Sequence, residues 1–172
     1  MLQDKVPEVG DFYGGGVVFY IFQSGDLGYV TGETHGIICA IVDQSSRIQW
    51  FNGTYIRMYN SVAIGVGKTN TGKIITNQGE GSYAATACTG YNYGGYVDWF
   101  LPSRYELEQI YVNKETINTT ATENGGQDLT NSNYWSSSDN SQSTAILVNI
   151  NTGAYANASK SATYRVRAVR YF

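Results

Sequence analysis

The sequence predicts an α+β domain built from twisted antiparallel sheets, two or three short helices and long loops. Three observations lead there. Short runs dense in β-branched and aromatic residues are separated by Gly-rich turns; one helix start carries a proline and a capping box; and the last residues alternate polar and apolar side chains. With 172 residues, 42% of them hydrophobic, the chain can bury one core and is short for two. No internal repeat or linker divides it, so one domain over residues 1–172 is expected.

Gly14-Gly15-Gly16 leads into Val17-Val18-Phe19-Tyr20-Ile21-Phe22, read as a central strand entered through a tight turn. After a Gly-rich stretch at Gly25, Gly28 and Gly32, Gly36 to Val42 reads as a second buried strand, ending at Asp43-Gln44-Ser45-Ser46. Ile48-Gln49-Trp50-Phe51 reads as a short third. Thr69 to Gln78 and the Ala-rich Ser82 to Thr89 permit short helices. The clearest helix is Ser103 to Tyr111: Ser103 caps it after Pro102, Glu106 sits three residues on, and Leu107, Ile110 and Tyr111 share one face. Asn113 to Asn133 has little periodicity and reads as a long surface loop, or a short helix followed by loop. Tyr134 to Ser138 and Ala145 to Ile150 form a hairpin, and Tyr164 to Phe172 reads as one closing strand with its Arg residues on one side.

Composition narrows the function. Only 15% of residues are charged, against about a quarter in an average domain, and the net charge is −3. Nucleic-acid binding, which needs clustered Lys and Arg, is therefore not expected. Gly (20), Tyr (15) and abundant Asn, Ser and Thr give the composition of recognition loops. No apolar stretch is long enough for a membrane span, and Met1-Leu2-Gln3-Asp4-Lys5 does not open a signal peptide. Cys39 and Cys88 lie outside any zinc or thioredoxin spacing, leaving one disulfide or two buried thiols. His35 is the single histidine and reads as a surface residue. Gly65-Val66-Gly67-Lys68-Thr69 looks like the end of a phosphate-binding loop, but Val62 stands where its first Gly belongs. With no calcium loop and no assembled nucleophile, base or metal set, the chain is expected to be no enzyme, with no catalytic residue, metal or cofactor.

Asp98-Trp99-Phe100-Leu101-Pro102-Ser103 is the most distinctive run. Trp99 and Leu101 can anchor a turn, Pro102 stiffens the entry to the helix, and Asp98 can accept hydrogen bonds from backbone or a C-terminal Arg. Asp98, Trp99, Pro102, Trp135, Arg165 and Arg167 are thus assigned structural roles. Two segments are candidate contact surfaces for their aromatic and polar content: Asn52 to Asn60, with Tyr55, Arg57 and Tyr59, and Asn113 to Asn133, with Asn124, Asp128 and Asn133.

Taken together, Gly14 to Ile21, Asp43-Gln44-Ser45, Ile48-Gln49-Trp50, Gly65 to Thr71, Gly94 to Ser103, Tyr134 to Ser138 and Arg165 to Arg170 resemble the bacterial and phage domain named after the C-terminal part of the collagen-like adhesin Lcl. The chain is also similar to Fibrobacter-type paralogous surface domains. The resemblance implies a C-type-lectin-like fold in which Val17 to Phe22 pairs with Arg165 to Tyr171, placement outside the cell, at the cell surface or on a virion such as a phage tail fibre, and a role in adhesion or receptor recognition. The adhesin relative binds sulfated polysaccharide and is trimeric; this acidic chain suits a neutral surface glycan or a host receptor better. The Glu-Pro-Asn and Trp-Asn-Asp calcium motifs of true C-type lectins are absent from the sequence, so binding is expected to be calcium-independent. The competing reading is a structural cap or decoration domain that mediates subunit assembly, with a homotrimer as the candidate oligomer.

Overall fold

The computed structural model describes residues 5–172, and the reading of Met1 to Asp4 lies outside the described residues. In chain order the elements are β1 (Phe12–Tyr13), β2 (Gly16–Ile21), β3 (Gly36–Cys39), β4 (Ser45–Gln49), α1 (Gly67–Gln78), α2 (Ala84–Thr89), α3 (Arg104–Val112), α4 (Lys114–Glu123), β5 (Asn133–Asp139), β6 (Thr144–Asn149), β7 (Tyr155–Ser159), β8 (Thr163–Val166) and β9 (Val169–Tyr171). The fold is α+β. One sheet has the order β1-β2-β3-β9 and the other β4-β8-β5-β6-β7. All strand pairs are antiparallel except β5 with β8.

Successive side chains on a strand face opposite sides, and here each side has its own core. Val18, Ile38, Trp135 and Leu147 face a cluster with Trp50, Trp99, Tyr83 and Ile74, closed by α1 and α2. Val17, Phe19, Ile37, Tyr134 and Val148 face a second cluster with Phe100, Leu107, Ile110 and Ile117, closed by α3 and α4. The sheets therefore lie between two helical layers, which explains why their strands read as nearly continuous apolar runs.

Several expectations are corrected. β2 and the C-terminal strand share a sheet but do not pair directly. β3, buried along its whole length, takes the interior place between them, with Val17 opposite Cys39 on one side and Ile37 opposite Tyr171 on the other. Covered on both faces, β3 suits an interior position of the sheet, as β2 does beside it. The closing strand is not single either. It breaks at Arg167-Ala168, where the chain passes from the five-stranded to the four-stranded sheet. Its arginines diverge: Arg165 and Arg167 turn to Asp43, and Arg170 turns to Asp98. Four helices replace the expected two or three, because Asn113 to Asn133 holds α4 before its loop. Strand β4 starts at Ser45 and stops before Trp50, and β1 and β7 had no counterpart in the sequence reading. The two cysteines are buried and unpaired, and burial pushes the Cys39 thiol up to about 12.

Candidate functional site

The candidate site is the loop between β4 and α1, at the end of β5 marked by Asp139. Asp139 is buried, and its carboxylate accepts two backbone N–H bonds, from Met58 to Oδ2 and from Asn60 to Oδ1, both 2.8 Å. Between those clamped residues stands Tyr59, at φ 55° and 74% exposed. A non-Gly residue in this left-handed region costs about 1 kcal/mol or more and persists only where its surroundings over-determine it. Here they do. Lys160, with no exposed surface, donates to Ile56 O at 2.7 Å and to Asp139 Oδ2 at 3.3 Å, with its ammonium 4.5 Å from the Trp50 ring centre. Lys73 donates to Met58 O at 2.9 Å, and the Asn60 amide donates to Ser137 O at 2.9 Å. Burial lowers the Lys160 pKa, and the neighbouring Asp139 carboxylate opposes that shift.

The outcome is an outward-facing set of side chains on a clamped backbone. The Arg57 guanidinium lies 4.5 Å from the Tyr59 ring centre, and Tyr55 leans on Phe51 with ring centres 4.7 Å apart. A second aromatic–arginine group borders the same end of β5. Arg104 donates through its backbone N–H to Ser138 Oγ, and its guanidinium lies 3.4 Å from the centre of the Tyr155 ring and 5.1 Å from that of Tyr105. Glu108 accepts from Arg104 Nε at 2.7 Å. Flat rings with polar tips beside guanidinium donors can stack on an apolar ring face while hydrogen-bonding its polar edge.

The other candidate contact residues lie elsewhere. Asn133 opens β5 whereas Asp139 closes it, so about 20 Å of strand separates Asn133 from the Tyr59 turn. Asn124, Asp128 and Asn133 are also engaged within the fold. The Asn124 amide donates to Thr120 O, Asp128 Oδ1 accepts from the Thr122 hydroxyl, and Asn133 Oδ1 accepts from Asn149. The two candidate segments form two surfaces, not one.

The structural set is placed as follows. Asp98 accepts from Arg170 Nε at 2.7 Å and Nη2 at 3.1 Å. Trp99 and Trp135 are buried, and their indole N–H groups donate to Tyr96 O and Ile48 O. Pro102 O accepts from Ser137 N at 2.7 Å. Asp43 gathers Arg165 (3.0 Å), Arg167 (2.6 Å) and the Tyr134 hydroxyl (2.9 Å). His35 is partly exposed, between Glu33 and Phe172 O.

Sequence reasoning missed Asp139, Lys160, Arg104 and Tyr155. The available signal was slight: a lone Lys between two serines, and an Asp ending a run of Ser. The residues resembling a phosphate loop have another purpose. Buried Glu106 accepts from Gly65 N (2.9 Å), Gly67 N (3.3 Å), Ser103 N (2.8 Å) and the Tyr171 hydroxyl (2.7 Å), and a Cβ at Gly67 would collide with its carboxylate.

The family model for the Lcl C-terminal domain matches residues 39–170. No curated protein matches the chain. Among solved structures, a fimbrial protein from Bacteroides ovatus is similar in fold, with a TM-score of 0.61 at 13% identity over 90% of this chain. The match covers 43% of that protein, so this chain corresponds to less than half of its length.

Proposed function

The chain belongs to the Lcl C-terminal domain family, and from that premise we propose that it is a non-catalytic, surface-associated binding module. Its ligand is a neutral glycan, free or carried on a host receptor, held without calcium by Tyr55, Arg57 and Tyr59. One observation carries this reading: the Asp139–Lys160 pair is buried beneath a turn whose strained tip presents an exposed tyrosine. A turn that only connected β4 to α1 would not need a buried ion pair to hold an aromatic side chain outward, since such pairs are costly to desolvate. The fimbrial nature of the similar structure agrees with display at a surface. Asn124, Asp128 and Asn133 are left outside the proposed contact surface because one side-chain polar atom of each is already bonded within the fold.

The test is a glycan-array screen of the purified chain with and without EDTA, followed by titration of the best hit. Binding that survives EDTA and is lost in Tyr55→Ala and Tyr59→Ala, with the oligomeric state unchanged, supports the module. Loss of assembly in those variants would instead assign the loop to subunit contact.

A further inference from the structure

Strand β7 is the one uncharged sheet edge of more than two residues among the described residues, and its register is unbroken. The other edges are protected. β1 has two residues, β9 is bridged by Phe100 through reciprocal bonds with Val169 (2.8 and 3.0 Å), and β4 carries Arg47 and a register shift between Ser45 and Ile48. Such devices keep edges from pairing. β7 has none of them. Tyr155-Ala156-Asn157-Ala158-Ser159 holds no charge or proline and pairs with β6 at five consecutive positions without a shift.

The direction of its free backbone groups follows from two bonds that flank it. Asn149 N donates to Ala154 O, and Lys160 N donates to Ser143 O, so residues 154 and 160 turn their backbone groups toward β6. Inward and outward groups alternate along an antiparallel strand. Ala156 and Ala158 therefore also face β6, while the N–H and C=O of Tyr155, Asn157 and Ser159 face outward, with one lone pair of the Ser159 C=O already taken by Ala162 N at 2.9 Å. These six groups are symmetric about Asn157. A second, antiparallel β7 with Asn157 on the two-fold axis would pair Asn157 with Asn157, Tyr155 with Ser159 and Ser159 with Tyr155, so that each outward N–H finds an acceptor, Tyr155 N–H using the second lone pair of the Ser159 C=O. Parallel or shifted pairing leaves some unmatched. The side chains agree, since each Tyr155 meets a small Ser159 and the strand brings no charge to repel its copy.

We propose that β7 is a homodimerisation edge, through which two copies of this chain join their five-stranded sheets about Asn157. The symmetry is two-fold, an isologous contact, and not three-fold. A contact of one short strand per copy buries less than the roughly 1,200 Å² of a stable complex. The dimer is therefore weak in dilute solution and favoured where many copies are displayed side by side.

Sedimentation velocity on the whole chain, from about 10 μM to about 1 mM, tests this across the affinity range of such weak contacts. The expected result is a reversible monomer–dimer equilibrium that Asn157→Pro weakens by about tenfold or more, because it removes an outward N–H while leaving the β6 ladder intact. Asn157→Lys, which sets like charges against each other on the axis, should do the same and does not depend on proline being tolerated. Ala156→Pro, removing an inward N–H, should instead lower the melting temperature. A chain that stays monomeric throughout, or a dimer indifferent to both Asn157 variants, overturns the proposal; the latter result would assign association to another surface.

Discussion

Glu106 shows how one side chain can redirect a familiar sequence pattern. The Gly65-Val66-Gly67-Lys68-Thr69 segment opens α1 with backbone N–H groups pointing inward, as a phosphate loop does, but the anion they meet is a carboxylate of this same chain. Burial raises the Glu106 pKa, opposed by the Tyr171 hydroxyl and by the backbone donors. Glu106→Gln keeps the shape but turns an amide NH2 toward backbone N–H groups that can only donate. We expect a loss of about 2–3 kcal/mol, the cost of stranding buried donors, measured by urea denaturation at neutral pH. An unchanged midpoint would mean that the nest is not needed for stability.

At the level of elements, the helices divide by where their signals come from. For α3 the signal is local. Ser103 Oγ accepts from Glu106 N and the Glu106 side chain accepts from Ser103 N, the capping box that the sequence spells out. The start of α1 has no side-chain cap of its own, and Glu106 of α3 accepts from its first amide, Gly67 N, from a distance. The sequence reading consequently began that helix two residues late. α4 is rich in Thr, a poor helix former, and is held by Ile117 and Ala121, buried one turn apart. Gly72 in mid-α1 is a different case. A Cβ there would meet nothing within 4 Å, beside a groove of about 280 Å³ that Lys68, Ile75 and Val97 help to line. Gly72→Ala should therefore stabilise the protein by about 0.5–1 kcal/mol through helix propensity and a stiffer unfolded chain. Thermal denaturation reads the effect, and a lowered melting temperature would show that the helix needs the glycine.

For the molecule as a whole, Asp43 is the junction. It follows β3 of one sheet and binds Tyr134 of β5 and Arg165 of β8 in the other, while Arg167 bonds it from the crossing between the sheets. Arg167 also donates to Ala40 O, Gln127 O and Asp128 O, tying the loop after α4 to the same point. Asp43→Asn leaves the buried Arg167 charge without its counter-ion, which costs about 3–5 kcal/mol. Because the junction belongs to both sheets, amide exchange should accelerate in β3 and in β5 together. Acceleration confined to one sheet would show that the sheets unfold separately.

What the sequence determined by itself was whatever depends on neighbours along the chain: the α+β class, the buried runs Val17 to Phe22 and Ile37 to Ile41, the α3 capping box, and the Tyr-rich segment around Tyr55 and Tyr59. These are legible because strand period, propensity and capping act within a few residues. Tertiary structure alone decided that β3 separates β2 from β9, that the closing segment serves two sheets, and that Asn133 lies a strand's length from Tyr59. It alone set Asp139 and Lys160 beneath the exposed turn. Those outcomes depend on burial and charge pairing between residues far apart in the chain, where the free energy of a side chain is set by what surrounds it and not by its position in the sequence.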